Sequence, residues 1–243
     1  MQSILKVQNL VKEYKNGFRA VDDVSFEVGE GEIFGLLGPN GAGKTTIIRT
    51  ISTILSFTGG KIEVIGMDNI KNSLAVRKNI GVLTTDIGAY ERFSGKENLK
   101  YFGELYGMNK QVLEKRIGQL VALLDMKDFI DKKAGEYSTG MKQRLAIARS
   151  VIHDPKVIIF DEPTSGLDVL ASQTVRNFMQ HSRELGRAVI FSTHQMYDAE
   201  KLCDRVIIIH KGKTIAYDSV ENLKIKTDAA DLEDVFLKLV AVG

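Results

Sequence analysis

The chain has one cysteine, three prolines and four histidines in 243 residues. A lone thiol, Cys203, closes no internal disulfide, which fits a reducing cytoplasm. It falls in a segment that reads as helix, Tyr197 to Cys203, and is expected as a buried structural thiol. No proline-rich linker, repeat or low-complexity tract divides the chain. Charge of one sign is also lacking. The 33 basic and 31 acidic residues are mixed without long blocks and leave a net +2, so nothing points to a dedicated nucleic-acid surface. Long apolar runs are missing too. Stretches such as Val206 to Ile209 are far too short to span a bilayer, and Met1 to Leu10 alternates like a strand rather than a secretion signal. A role at a membrane would need a partner to supply the membrane. His153, His181 and His210 have no motif around them and are expected as surface or capping residues, with no metal cluster.

What is present is an ordinary globular balance, 44% hydrophobic and 26% charged, with ample chain to bury a core. Ile4 to Val11 and Ala20 to Val28 alternate with the period of half-buried strands, separated by a turn at Lys15-Asn16-Gly17. Lys61 to Ile65 and Ile80 to Leu83 read as a further strand pair. Between Thr85 and His153 the pattern becomes helical, in Glu97 to Gly107, Lys110 to Leu124 and Thr139 to His153, and Asp154-Pro155 ends the last of these. Val157 to Phe160 and Ala188 to Ser192 are short continuous apolar runs of the kind buried in parallel sheets, with a helix over Ala171 to Leu185 between them. Val206 to His210 and Thr214 to Tyr217 read as a closing hairpin, followed by a short helical tail after Asp218.

Chemistry concentrates in two places. Gly38-Pro39-Asn40-Gly41-Ala42-Gly43-Lys44-Thr45 fits G-x-x-x-x-G-K-[ST], follows an apolar run from Ile33 to Leu37, and opens a helix predicted over Lys44 to Ile54. In such a phosphate-binding loop, or P-loop, glycines let successive N–H groups turn inward onto phosphate oxygens, and the helix adds its positive end. Lys44 supplies a full charge for the β- and γ-phosphates and Thr45 a hydroxyl for Mg²⁺, with Thr46 beside it. The second place is the end of the apolar run Val157 to Phe160, where Asp161 and Glu162 emerge. Ligand sites of open α/β sheets lie at that end of the strands. Asp161 is placed to hold Mg²⁺ and Glu162 to orient or deprotonate a water for in-line attack on the γ-phosphate.

Together with further motifs, these residues make the chain resemble the ATP-binding-cassette (ABC) family over nearly its whole length. Tyr137-Ser138-Thr139-Gly140-Met141-Lys142-Gln143-Arg144 is similar to that family's LSGGQ signature, Ser165-Gly166-Leu167-Asp168 to its D-loop, and His194 in Ser192-Thr193-His194 to its switch histidine. Tyr14 matches the aromatic that stacks on adenine. The resemblance implies an α/β fold: a P-loop core with a parallel sheet, an N-terminal antiparallel β part and an inserted helical subdomain. It implies one nucleotide-binding domain over 1–243, with core 1–84 and 155–218, helical subdomain 85–154 and tail 219–243. ATP and Mg²⁺ are the implied cofactors. Ser138 and Gly140 would meet the ATP of a second copy, giving a homodimer in the ATP-bound state, with Asp168 also at the nucleotide.

The signature departs from the family pattern at Tyr137, Thr139 and Met141. The family also places a glutamine after the strand Ile80 to Leu83, where it touches Mg²⁺. Thr85 stands there in this chain, with Asp86 taking the place if the loop shifts by one residue. The signature and the terminal Leu232 to Leu239 are similar to the sodium-extrusion and drug-efflux branch. The implied function is the ATP-hydrolysing subunit of a membrane exporter, held at the inner face of the cell membrane by an integral-membrane permease, with no nucleic acid bound and no insertion of its own. The residues around Ile87, Tyr90 and Phe93 either receive a helix of that partner or pack within the helical insertion. The rival classes are a soluble ABC ATPase acting on ribosomes or DNA, which usually carries tandem cassettes or a basic extension, and a nucleotide-binding module that hydrolyses nothing.

Overall fold

The computed structural model describes residues 3–84 and 88–241. In chain order it runs β1 (Ser3–Glu13), β2 (Arg19–Gly29), β3 (Ile33–Leu37), α1 (Lys44–Ile51), β4 (Gly59–Val64), β5 (Met67–Asp68), α2 (Ser73–Asn79) and β6 (Ile80–Leu83). Three helices follow, α3 (Gly95–Leu105), α4 (Lys110–Leu123) and α5 (Thr139–Ser150). The chain then alternates through β7 (Val157–Asp161), α6 (Val169–Glu184), β8 (Ala188–Thr193) and α7 (Met196–Leu202). It closes with β9 (Arg205–His210), β10 (Lys213–Ser219), α8 (Val220–Thr227) and α9 (Leu232–Ala241).

The strands form two sheets, one in the order β2-β1-β4-β5 and antiparallel, the other in the order β10-β9-β3-β8-β7-β6. Within the larger sheet β9, β3, β8, β7 and β6 are parallel, and β10 turns back on the edge as an antiparallel strand. The apolar runs are continuous because both faces of this sheet are covered, and side chains along each strand alternate between two cores. Val157 and Ile159 of β7, and Ala188 and Ile190 of β8, face the smaller sheet and α1. Ile158, Phe160, Val189 and Phe191 face the helices, where Leu99, Ile117, Leu120, Leu145 and Phe178 meet them. On the β9 side, Val206 and Ile208 pack with Leu223, Leu232 and Val235 of the two last helices.

Two expectations are corrected. Lys61 to Ile65 and Ile80 to Leu83 are not a strand pair. β4 pairs antiparallel with β1 (Leu5 opposite Val64), whereas β6 pairs parallel with β7 (Ile80 opposite Val157). The intervening α2, a seven-residue helix with Val76 as its one buried residue, carries the chain from one sheet to the other and is too short to show an apolar period. Helices also stop earlier than their apolar pattern. α1 ends at Ile51, with Thr53 in the left-handed region, and α5 ends at Ser150, with Asp154 likewise left-handed. Cys203 follows α7 as its C-cap and packs so close to β3 that a Cβ on Gly35 would come within 2.8 Å of its sulfur. Burial pushes its thiol pKa up, so it is an inert packing residue. Among the described residues no helix is long and apolar enough to cross a membrane.

Candidate nucleotide site

β3 delivers the chain from the buried sheet into residues 38–43, and α1 carries it away, so the loop is clamped at both ends by core packing. Ile47, Ile48 and Ile51 of α1 are fully buried against the sheet. Gly38 and Gly43 have no substitute. Both have positive φ (149° and 110°), and a Cβ would come within 2.2 Å of the Ile209 carbonyl oxygen at Gly38 and within 2.5 Å of the Ala20 oxygen at Gly43. Lys44 is 5% exposed and folds back over its own loop, donating to the carbonyls of Gly38 at 2.6 Å and Pro39 at 3.2 Å. A cavity of about 440 Å³ opens over Asn40, Gly41, Ala42, Gly43, Lys44, Thr45 and Thr46. Its outer wall is Tyr14 and Phe18, exposed rings stacked at 6.4 Å with an 18° interplanar angle, and Glu162 reaches it from the other side. Two parallel aromatic faces at the mouth of a phosphate loop suit a planar base. Phe18 was not anticipated from the sequence, since it belongs to no motif.

The acidic edge of the site comes from the ends of adjacent parallel strands. Asp161 ends β7, level with Ser192 of β8, and Glu162 and His194 lie one residue beyond their strands. Ser192 Oγ donates to Asp161 Oδ1 at 2.5 Å and accepts the Glu162 backbone N–H at 3.0 Å. Glu162 sits at φ 50°, a conformation that turns its carboxylate out of the strand direction. One carboxylate oxygen meets His194 Nδ1 at 2.9 Å, and the other lies 3.4 Å from Lys44 Nζ. Among the described residues, neither that second oxygen nor Asp161 Oδ2 has a hydrogen-bond partner, although both are buried. Buried carboxylate oxygens at the end of β7, with hydrogen-bonding capacity to spare, suit Mg²⁺ and an attacking water. Ser192 was not singled out from the sequence, although it stands two places before His194.

Ser138, Gly140 and Asp168 are not in this cavity. Ser138 caps α5, accepting the Met141 N–H at 3.3 Å, and Asp168 caps α6, accepting the Ala171 N–H at 2.8 Å. Gly140 faces α6, where its Cβ would lie 3.1 Å from that of Ala171. The two helix starts are thus adjacent, and both present N-terminal N–H groups outward. Beside them Val169 and Leu170 are each about four-fifths exposed, an unusual display of aliphatic surface. Thr85, Asp86 and Ile87 lie outside the described residues.

Fold and site together define a P-loop ATPase of the doubly covered α/β kind. The model of a family described as ABC transporter matches residues 21–165. The chain is similar to the ABC transporter ATP-binding protein NatA of Bacillus subtilis (strain 168), with 41% identity over 233 residues, 96% of this chain and 95% of that one. It is 34% identical over 245 residues to the doxorubicin resistance ATP-binding protein DrrA of Mycobacterium tuberculosis (strain ATCC 25618 / H37Rv), covering 98% of this chain and 74% of that one. A solved structure described as the ATP binding subunit of an ABC transporter superposes with a TM-score of 0.89 at 27% identity, over 98% of this chain and 99% of that one. The chain belongs to the ABC transporter family, as an ATP-binding, ATP-hydrolysing subunit.

Proposed function

We propose that this chain powers a membrane exporter of the sodium- or drug-efflux type, docked through a permease at the inner face of the cell membrane. The observation that carries the hydrolytic part is the Lys44–Glu162–His194 chain of contacts at the rim of the phosphate loop. Glu162 is the general base: it lines the cavity with one oxygen 3.4 Å from Lys44 Nζ, and His194 holds the other oxygen in place. Lys44 leaves the carbonyls of Gly38 and Pro39 when phosphate arrives, exchanging dipoles for a full negative charge. Thr45 and Asp161 would hold Mg²⁺, which neutralises charge on the phosphates when bound. Tyr14 and Phe18 take the base. Residues 1–243 act as one nucleotide-binding domain, with 85–154 as its helical subdomain and 219–243 as its tail.

The exporter reading is supported by the likeness to the doxorubicin resistance protein DrrA. The permease has a suitable dock in a cleft of about 240 Å³ between α1, β6, α3 and α5, lined by Ile54, Ile80, Phe102, Tyr106, Arg77 and Arg149. Tyr90, half exposed, packs within the helical part, stacked on Phe102 and edge-on to Tyr101, with the half-exposed Phe93 tilted against it. A largely apolar floor suits the apolar face of an amphipathic helix. Pull-down of tagged Glu162→Gln protein with ATP and Mg²⁺ from detergent-solubilised native membranes tests the assignment. A multi-span membrane protein should be recovered, and lost without nucleotide or with Lys44→Ala. Recovery of ribosomes or DNA-bound proteins instead would reject the exporter.

A further inference from the structure

The turn between β9 and β10 grips the phosphate loop from behind. Lys211 and Gly212 form a two-residue hairpin turn with both φ positive, at 48° and 78°. The Gly212 N–H donates to the Ala42 carbonyl at 2.9 Å, and the Gly212 carbonyl accepts the Asp22 N–H of β2 at 2.8 Å. Lys213, the next residue, reaches Asp22 Oδ2 at 3.3 Å, and Arg19 holds the other oxygen of that carboxylate at 2.9 Å. A Cβ on Gly212 would come within 2.9 Å of the Ala20 oxygen, the same atom that forbids a side chain on Gly43. Three strands of backbone therefore meet here with no room for a side chain, and none of these contacts belongs to the recognised motifs.

The consequence lies in one peptide plane. Ala42 and Gly43 line the nucleotide cavity, whereas Gly212 lies outside it. The Ala42–Gly43 peptide is trans and planar, so its C=O and N–H point in opposite directions. Drawing the carbonyl back toward Gly212 turns the Gly43 N–H forward into the cavity, where phosphate oxygens bind. We infer that Gly212 is a positioning residue for nucleotide phosphate: its N–H orients the Gly43 N–H before ATP arrives, so that ATP binding spends nothing on turning the peptide.

The test measures the affinity of Gly212→Ala for ATP and for inorganic tripolyphosphate, each by competition with a fluorescent nucleotide. Both affinities should fall roughly tenfold, the worth of one well-placed hydrogen bond, while kcat at saturating ATP stays within about twofold. Gly186→Ala is the control, since Gly186 has φ 79° with open space around it, at the opposite end of β8 from the site. It carries the same backbone strain and should leave both affinities unchanged. If Gly212→Ala does not fold, glycolic acid incorporated at position 212 replaces it, because the backbone ester removes the N–H and adds no side chain. Wild-type affinities in the folded Gly212 variant, a loss of ATP but not tripolyphosphate binding, or an equal loss in Gly186→Ala would each overturn the inference. It rests on the nucleotide site itself, which wild-type ATP binding and its loss in Lys44→Ala check separately.

Discussion

At the scale of single residues, the acidic edge of the site depends on Ser192. Its hydroxyl donates to Asp161 and accepts from the Glu162 backbone, so one side chain fixes both acids relative to each other. Ser192→Ala leaves a second buried oxygen of Asp161 without a partner, next to one already unpaired. We expect a loss of about 1–3 kcal/mol in urea unfolding, the penalty of an unsatisfied buried acceptor, and a fall in kcat larger than any rise in KM for ATP. An unchanged kcat would show that the acids hold their places without it. Glu162, Lys44 and His194 were singled out in sequence because they stand in motifs with fixed spacing. Ser192 and Phe18 were not, since a serine in a buried strand and an aromatic in a turn acquire meaning only from what lies across from them.

Among the elements, His153 shows how a loop residue can tie several together. It follows α5, stacks flat on Tyr106 after α3 at 3.8 Å, and its Nε2 lies 3.0 Å from the Ile80 carbonyl of β6. Burial pushes its pKa below the ordinary value, with Arg116 adding to the effect, while the Ile80 carbonyl and Asp154 pull the other way. The neutral ring is the folded form, and the unfolded chain takes up the proton more readily. Its contribution to stability is therefore fully present above about pH 6.5 and is lost as pH falls through the lowered folded value. His153→Gln should flatten the decline in unfolding midpoint between pH 7.5 and 5.5 relative to the wild type. An identical slope would exclude His153 as the titrating group. The sequence reading of His153 as a surface or capping residue is corrected here, because a histidine without motif context gives no sign of the ring that covers it. The misassigned β4 and β6 have the same cause: strand character is local, whereas the choice of partner strand is not.

For the whole molecule, the prediction concerns pairing of two copies. The P-loop cavity is one face, and the starts of α5 and α6, with exposed Val169 and Leu170, form a separate one. A face of outward N–H groups edged by aliphatic side chains suits the γ-phosphate of a second copy followed by closure of an apolar rim. With ATP and Mg²⁺, Glu162→Gln should stop phosphate release and sediment as a dimer, whereas adding Lys44→Ala should return it to the monomer. A Glu162→Gln protein that turns over at the wild-type rate would remove Glu162 as base, and one that stays monomeric would remove the homodimer.

The sequence by itself determined the class of chemistry and the run of elements. Glycine spacing, buried apolar runs and the acids after them are local codes, written in backbone freedom and side-chain type within a few residues. The alternation of strand and helix likewise follows from periodicity along a single segment. Only the tertiary structure decided which strands pair, which carboxylate oxygens are left unpaired, and which carbonyl the turn at Gly212 grips. Gly212 lies 170 positions from Ala42 along the chain, and no local pattern encodes that distance. It is set when both faces of the larger sheet are buried, because burial allows a single register and places the hairpin behind the phosphate loop.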